Sequence, residues 1–192
     1  MKSYIATLSF NLIIKFGEYR AMQQDLDKGV MDLIITSKKG NQPDLRYTPF
    51  SNERIVLVSG AKSASGPLQT FLLANQFKAA KTWLKEQVWY NTAEDMDTLK
   101  KFWHLNFGRH PEFRPNCIVP TICSIVRCLS GGEGFAIVPD FLCRDEIDAG
   151  KVKLVWKGQH VLENTLYFGM CTKTIYADEI RQMKEIVEKQ AA

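Results

Sequence analysis

The stretch Ser130–Asp140, SGGEGFAIVPD, holds Gly131, Gly132 and Gly134 within four positions. Two folds compete for it. A phosphate-binding glycine loop follows a strand and opens a helix, so that its amides and the helix N-terminus face the anion. Here the order is reversed. Ile122, Ile125, Val126 and Leu129 recur at helical spacing before the glycines, and Phe135–Val138 reads as a strand after them. The glycines therefore sit at a helix C-terminus, where carbonyls and negative partial charge repel phosphate. No GxxxxGK[ST] accompanies them. The pattern predicts that a glycine ends the helix and the others turn the chain into a buried strand.

The ligand-facing end of this unit is then the opposite one. Asn116–Val119 reads as a strand that feeds a helix starting at Pro120–Thr121, with Pro120 suited to the first helical position. In α/β sheets, ligands collect where a strand's carboxyl end meets a helix N-terminus. Ile35–Thr36–Ser37 and Tyr90–Asn91–Thr92 leave predicted strands in the same way. Taken singly, each residue is as well explained as a helix cap or a turn. Their coincidence points to a cleft, and free amides near Thr121 suit a carboxylate or phosphate.

Working outward, Phe10–Phe16 alternates as a strand, and Gly17 ends it. Tyr19, Met22 and Leu26 form a short amphipathic helix stopped by Gly29. Asp32–Thr36 is an apolar run expected to be covered on both faces. The three together predict a β-α-β unit with parallel pairing. Leu45–Phe50 and Arg54–Ser59 read as two strands around a Ser51–Asn52 turn, and Leu68–Gln87 as one or two helices. Thr92-x-x-Asp95 has capping-box spacing and places a helix start near Asp95. Leu99, Phe102, Trp103 and Phe107 form that helix's apolar face. Asp140–Ala149 reads as a helix closed by Gly150. Strands follow at Val152–Trp156 and Leu166–Met170, and a last helix carries Ile180, Met183, Ile186 and Val187. Strands alternating with helices give an α/β chain.

Composition narrows the function. The 192 residues are 45% hydrophobic and 24% charged, as expected of a chain with a real core. The net charge of +4 comes with no basic stripe, only pairs such as Lys38–Lys39, which argues against a nucleic-acid footprint. Five cysteines, odd in number and without CxxC, fit free buried thiols in a reducing compartment, the cytoplasm. No histidine pairs closely with a cysteine, so no metal site and no cofactor is expected. Residues 2–14 lack the cleavage pattern of a signal peptide, and no run approaches a membrane span. Asp95, Asp97, His104, Glu133 and Asp140 are the acid–base candidates of an enzyme reading. They fall at caps and turns, with no nucleophile–base spacing, and no catalysis is expected.

Three segments carry a resemblance. FNLIIKFGEYRAMQQDLDKGVMDLIIT (Phe10–Thr36) resembles a strand–helix–"L..G.lDl.i" unit, and YTPFSNERIVLV (Tyr47–Val58) an "l..E..vlv" strand. IVPTICSIVRCLSGGEGFAIVPDFLCRDEIDAGKVKLVW (Ile118–Trp156) resembles a helix, "G.GfaivP", helix, "g.l..l" succession. In this order they are similar to the effector-binding domain of LysR-type transcriptional regulators. The resemblance implies a two-lobed, type 2 periplasmic-binding-protein-like α/β fold with a central effector cleft. Its lobes would be 1–59 plus 163–192, and 60–162. It implies a small-molecule effector, an anionic one included. The residues matching its pocket are Thr36, Ser37, Asn91, Thr92, Pro120, Thr121 and Pro139. It also implies a homodimer, with Arg20–Lys28 a candidate surface. DNA contact would come only through a helix-turn-helix domain that has no counterpart in these residues. Residues 1–8 match the remainder of the family's first helix, and its first strand is missing, leaving a sheet position open beside Phe10–Phe16. A periplasmic solute-binding protein of the same fold is the alternative function, since fold alone does not fix it.

Overall fold

A computed structural model describes residues 8–94 and 96–191. The N-terminal residues matched to the family's first helix, and the Asp95 half of the capping box, lie outside these, Leu8 excepted. The chain divides into two compact units, 1–52 with 164–192, and 53–163. Two strands run from one unit into the other: β2 (Leu45–Gly60) and β7 (Leu162–Cys171).

In the first unit, α1 (Tyr19–Asp27) precedes β1 (Leu33–Thr36). β1 pairs antiparallel with β7, from Leu33 opposite Met170 to Thr36 opposite Tyr167, and β7 lies between β1 and β2. The helical spacing of Tyr19, Met22 and Leu26 turns Leu26 onto Ile34 and Leu45, the centre of this core. Phe50 stacks on Phe168 with centroids 4.0 Å apart. The helix α7 (Ala177–Ala191) closes the unit, with Ile180 buried.

Three expectations fail in this unit. Residues 8–18 form no strand, and Ile13, Ile14 and Phe16 stand exposed. Alternation produces a strand only where a neighbour completes the ladder, and no described strand pairs with this segment. The parallel β-α-β unit is accordingly absent, because β1 finds an antiparallel partner in β7. β1 is also covered on one face only: Ile34 is buried while Ile35 is exposed.

In the second unit the elements run α2 (Gly66–Leu73), α3 (Phe77–Lys85), β3 (Tyr90–Asn91), α4 (Asp97–Phe107) and β4 (Cys117–Ile118). Then come α5 (Ile122–Gly131), β5 (Phe135–Pro139), a 3-10 turn (Asp140–Leu142), α6 (Arg144–Asp148) and β6 (Val152–Trp156). The second half of β2 lies between β5 and β6, antiparallel to β5 from Ile55 opposite Pro139 to Ser59 opposite Phe135. β3 runs parallel to β4, and Trp89, just before β3, bridges in parallel to Phe135 of β5.

Period two sorts this sheet into two cores. Ile55, Leu57, Phe135 and Ile137 face the aromatic cluster of Trp89, Phe102 and Trp103, with Leu68, Leu84 and Leu99 from the helices. Val56, Val58, Ala136 and Val138 face Ile125, Val126 and Leu129 of α5. The unbroken apolar runs IVLV and FAIV thus mark strands covered on both sides. The Ser51–Asn52 turn does not exist; β2 is one strand of 16 residues. Its two hydrophilic positions fall where the strand passes between units and need no turn. The predicted helix at Asp140–Ala149 is split, the first three residues forming the 3-10 turn.

The glycines divide by role. Gly131 ends α5, and a Cβ there would meet nothing within 4 Å. Gly132 caps the helix in an extended conformation, φ −147°, not a left-handed one. Gly134 alone has positive φ, at 117°, and a Cβ there would lie 2.6 Å from the Tyr90 ring. Backbone contact explains the rest. The Gly60 amide donates to the Gly134 carbonyl at 3.1 Å, and a Cβ on Gly60 would sit 2.2 Å from the Gly132 oxygen. The Ser63 hydroxyl accepts from the Gly134 amide at 2.9 Å and donates to its carbonyl at 3.2 Å. The Lys62 ammonium reaches the Gly131 carbonyl at 3.3 Å, the charge sign that suits a helix C-terminus.

Gly134→Ala and Gly131→Ala separate these roles. Urea titration is expected to show Gly134→Ala destabilised by about 2–4 kcal/mol, from strain and overpacking. Gly131→Ala should change stability by less than about 1 kcal/mol. Equal effects would refute the division.

Candidate functional site

Three strands of the second unit run in one direction. Asn91 closes β3, Ile118 closes β4 and Pro139 closes β5. Backbone and side-chain bonds fix the ends of β3 and β4. The Val119 amide donates to the Asn91 carbonyl at 2.9 Å, and the Trp89 amide donates to Asn116 Oδ1 at 2.8 Å. Asn91 is buried and turns its Nδ2 to the Ala93 carbonyl at 2.6 Å. Pro139 is buried and pairs with Ile55 of β2. Proline tolerates this position because it is the strand's last residue.

At the ends of β3 and β5 lies a cavity of about 150 Å³. Its polar wall is Glu53, Asn91, Thr92 and Thr98. Its apolar wall is Ile55, Ile122, Ile125, Ile137, Pro139 and Leu142. The loop into α4 passes beside it through Met96, a non-glycine residue held at φ 58° and only 6% exposed. Such left-handed backbone costs about 1–2 kcal/mol and persists only where surroundings impose it.

Of the residues chosen from sequence, the cavity gathers Asn91, Thr92 and Pro139. Thr121 and Pro120 stand just outside its lining, and both are exposed. Thr121 is the N-cap of α5: its hydroxyl accepts from the Ser124 amide at 3.1 Å and lies 3.0 Å from the Ser124 hydroxyl. Pro120 therefore precedes the cap and does not occupy the first helical position. In the first unit, Thr36 and Ser37 leave β1, and the Thr36 hydroxyl accepts from the Lys38 amide at 3.0 Å. Sequence reasoning missed Glu53, Thr98 and Ile55. Glu53 is the glutamate of the Tyr47–Val58 motif, so its signal was available. Thr98 lies in the first turn of α4 and had none.

The acid–base candidates that the structure describes fall on different elements. Asp97 opens α4, and His104, in its last turn, stacks on His110 at 5.4 Å. Glu133 lies in the glycine turn and Asp140 begins the 3-10 turn. All five thiols are free, but only Cys143 is buried; Cys123 and Cys128 are exposed, since α5 turns them away from Ile125 and Leu129. Burial, then Asp140, pushes the Cys143 thiol up to about 11. The thiolate is the reactive form, so Cys143 is a packing residue. Among the described residues, no three of His, Cys, Asp and Glu are placed to hold a metal, and no helix is long and apolar enough to cross a membrane.

Comparison with known proteins now adds to this geometry. A family model described as the LysR substrate binding domain matches residues 9–174. The HTH-type transcriptional regulator AbaB of Streptomyces antibioticus is 26% identical over 141 residues, 73% of this chain and 46% of the regulator. The chain thus spans about half the length of that curated relative. Among solved structures, the C-terminal domains of a LysR family protein from Agrobacterium tumefaciens superpose with a TM-score of 0.74 at 14% identity, covering 99% of this chain and 86% of that one. Full-length LysG from Corynebacterium glutamicum with bound effector Arg superposes with a TM-score of 0.70 at 11% identity, covering 99% and 61%. The fold is the two-lobed, periplasmic-binding-protein-like α/β architecture of those domains.

Because Thr121 spends its hydroxyl on the helix cap, Thr121→Ala is expected to cost about 1 kcal/mol of stability in thermal or urea unfolding. Thr121→Ser should retain most of it. A neutral alanine variant would remove the cap from the account.

Proposed function

The chain belongs to the LysR substrate-binding domain family, and from that premise we propose that it is the small-molecule-sensing domain of a LysR-type regulator, with its effector in the cavity beside Asn91, Thr92 and Pro139. The observation that carries this reading is that the ends of β3 and β5, at Asn91 and Pro139, meet the first turn of α5 at Ile122 around one cavity with a polar and an apolar wall. Ligands of open α/β sheets collect at such ends, and small-molecule sites pair apolar walls with a few placed polar groups. Thr121 and Pro120 act here by fixing the start of α5, which brings Ile122 to the cavity. Thr36 and Ser37 are the proposed ligand-contacting pair of the first unit.

The proposed mechanism is a population shift. An effector moves a regulator between states only by its differential affinity for them, and the output is a change in how subunits pack in a homodimer. DNA binding is proposed for the whole regulator and not for these residues. No catalysis is assigned, and a cytoplasmic location accords with five free cysteines. Nothing observed favours the solute-transport alternative over sensing.

A thermal-shift screen of small metabolites tests the reading. A binder at about 100 times its Kd should stabilise the chain by about 2.7 kcal/mol. Thr92→Val, close in shape, should then weaken that binder by about 1 kcal/mol through the lost hydrogen bond. A binder unaffected by Thr92→Val and by Asn91→Ala would place the site elsewhere.

A further inference from the structure

Two of the three histidines meet on the surface of the second unit. His104 stands in the last turn of α4, and His110 follows shortly after that helix. Their rings lie 5.4 Å apart between centres, with 28° between their planes. Both side chains are exposed. The backbone makes this meeting. Gly108, at φ 70°, ends α4 in the left-handed conformation, and its amide donates to the His104 carbonyl at 2.8 Å. The chain thereby reverses and brings His110 back to the last turn of the helix. Further on, Phe113 anchors the loop against Trp103 and Trp89, at 5.0 and 5.2 Å between ring centres, and Glu112 pairs with Lys85. His110 is thus held between a turn and an anchor.

From this pair we infer a surface site for a divalent transition-metal ion of the zinc kind, ligated by one ring nitrogen of His104 and one of His110. Zinc takes imidazole nitrogens at about 2.0–2.1 Å in tetrahedral geometry, which sets two ligating rings about 5 Å apart centre to centre. The observed separation matches, and rotation of each exposed ring about its Cβ–Cγ bond aims a nitrogen at a shared ion. Water takes the remaining positions, as no group of three His, Cys, Asp or Glu is placed to hold a metal among the described residues. Imidazole donors suit zinc, copper and nickel, whereas magnesium and calcium prefer oxygen. The ion lies at the C-terminal end of α4, whose carbonyls carry the negative end of the helix dipole. Two protein ligands make it an exchangeable ion and not a structural zinc, which would take four. The site shares no residue with the cavity lining, so it stands apart from the effector reading.

NMR of the imidazole rings in the 192-residue chain tests this, with Zn²⁺ added stepwise and Mg²⁺ as the control. His160 is the internal reference, since it too is exposed. The expected result is that Zn²⁺ moves the ring signals of His104 and His110 together, with one midpoint, and leaves His160 in place. Mg²⁺ at the same concentrations should move none of the three. In His104→Gln, the Zn²⁺ midpoint at His110 should rise about tenfold or more, because the second imidazole of a pair binds as an intramolecular ligand. The site is overturned if neither ring responds, if the two rings respond at separate midpoints, or if His160 responds as they do. An unchanged His110 midpoint in His104→Gln overturns it equally. Should that variant fail to fold, the shared midpoint in the unaltered chain decides the matter.

Discussion

Ser63 and Gly60 grip the backbone of one residue, Gly134. The Gly134 amide and carbonyl are both bonded to the Ser63 hydroxyl, and the same carbonyl also takes the Gly60 amide. This contact exists only because glycines stand on both sides of it. A Cβ on Gly60 would meet the Gly132 oxygen, and one on Gly134 would meet the Tyr90 ring. It ties the end of β2 to the start of β5 and sets their antiparallel register, Ser59 opposite Phe135. Period two does the rest. Once Ser59 is fixed, Ile55 and Leu57 must face one core and Val56 and Val58 the other. A slip by one residue would exchange every side chain between the two faces.

The same register positions the site. Counting back from Ser59 brings Ile55 opposite Pro139, at the far end of the pair. There Glu53, Ile55 and Pro139 join Asn91 and Thr92 around the cavity. The glycine turn and the cavity are thus two ends of one strand pair. The glycines shape the site by fixing the frame, and no ligand need touch them. The helix between supports the arrangement at both ends. Thr121 takes a donor at its start, and Lys62 meets a carbonyl at its finish. Each supplies the charge or dipole that end lacks.

Much of this was legible in the sequence, and the limits have physical causes. The order helix–glycines–strand decided against phosphate binding, because dipole direction follows from order alone. The run FAIV announced a buried strand, whereas the two-sided coverage read into Asp32–Thr36 failed, since Ile35 is exposed. Asn91 and Thr92 were singled out at a strand end and Pro139 by the resemblance, and all three line the cavity. What failed was whatever depended on a partner. Phe10–Phe16 alternates well, but a strand needs a neighbour, and the resemblance had already implied an open sheet position beside it. The direction of β1 was set by β7, more than a hundred residues away. Glu53 stood in the quoted Tyr47–Val58 motif, but only the β2–β5 register places it beside the cavity. Gly131, Gly132 and Gly134 looked alike, and only the approach of Tyr90 and Gly60 distinguishes them.

The central claim is that the Gly60–Ser63–Gly134 contact is the most protected part of the frame and that the second unit's sheet depends on it. Native-state hydrogen exchange measures this directly. The account predicts that the amides of Gly60 and Gly134 exchange as slowly as those of Val56 and Val58, all through unfolding of the whole second unit. In Ser63→Ala, protection at Gly134 should fall together with that of β5. Exchange at Gly134 at the rate of an open turn, with β5 still fully protected, would contradict the claim.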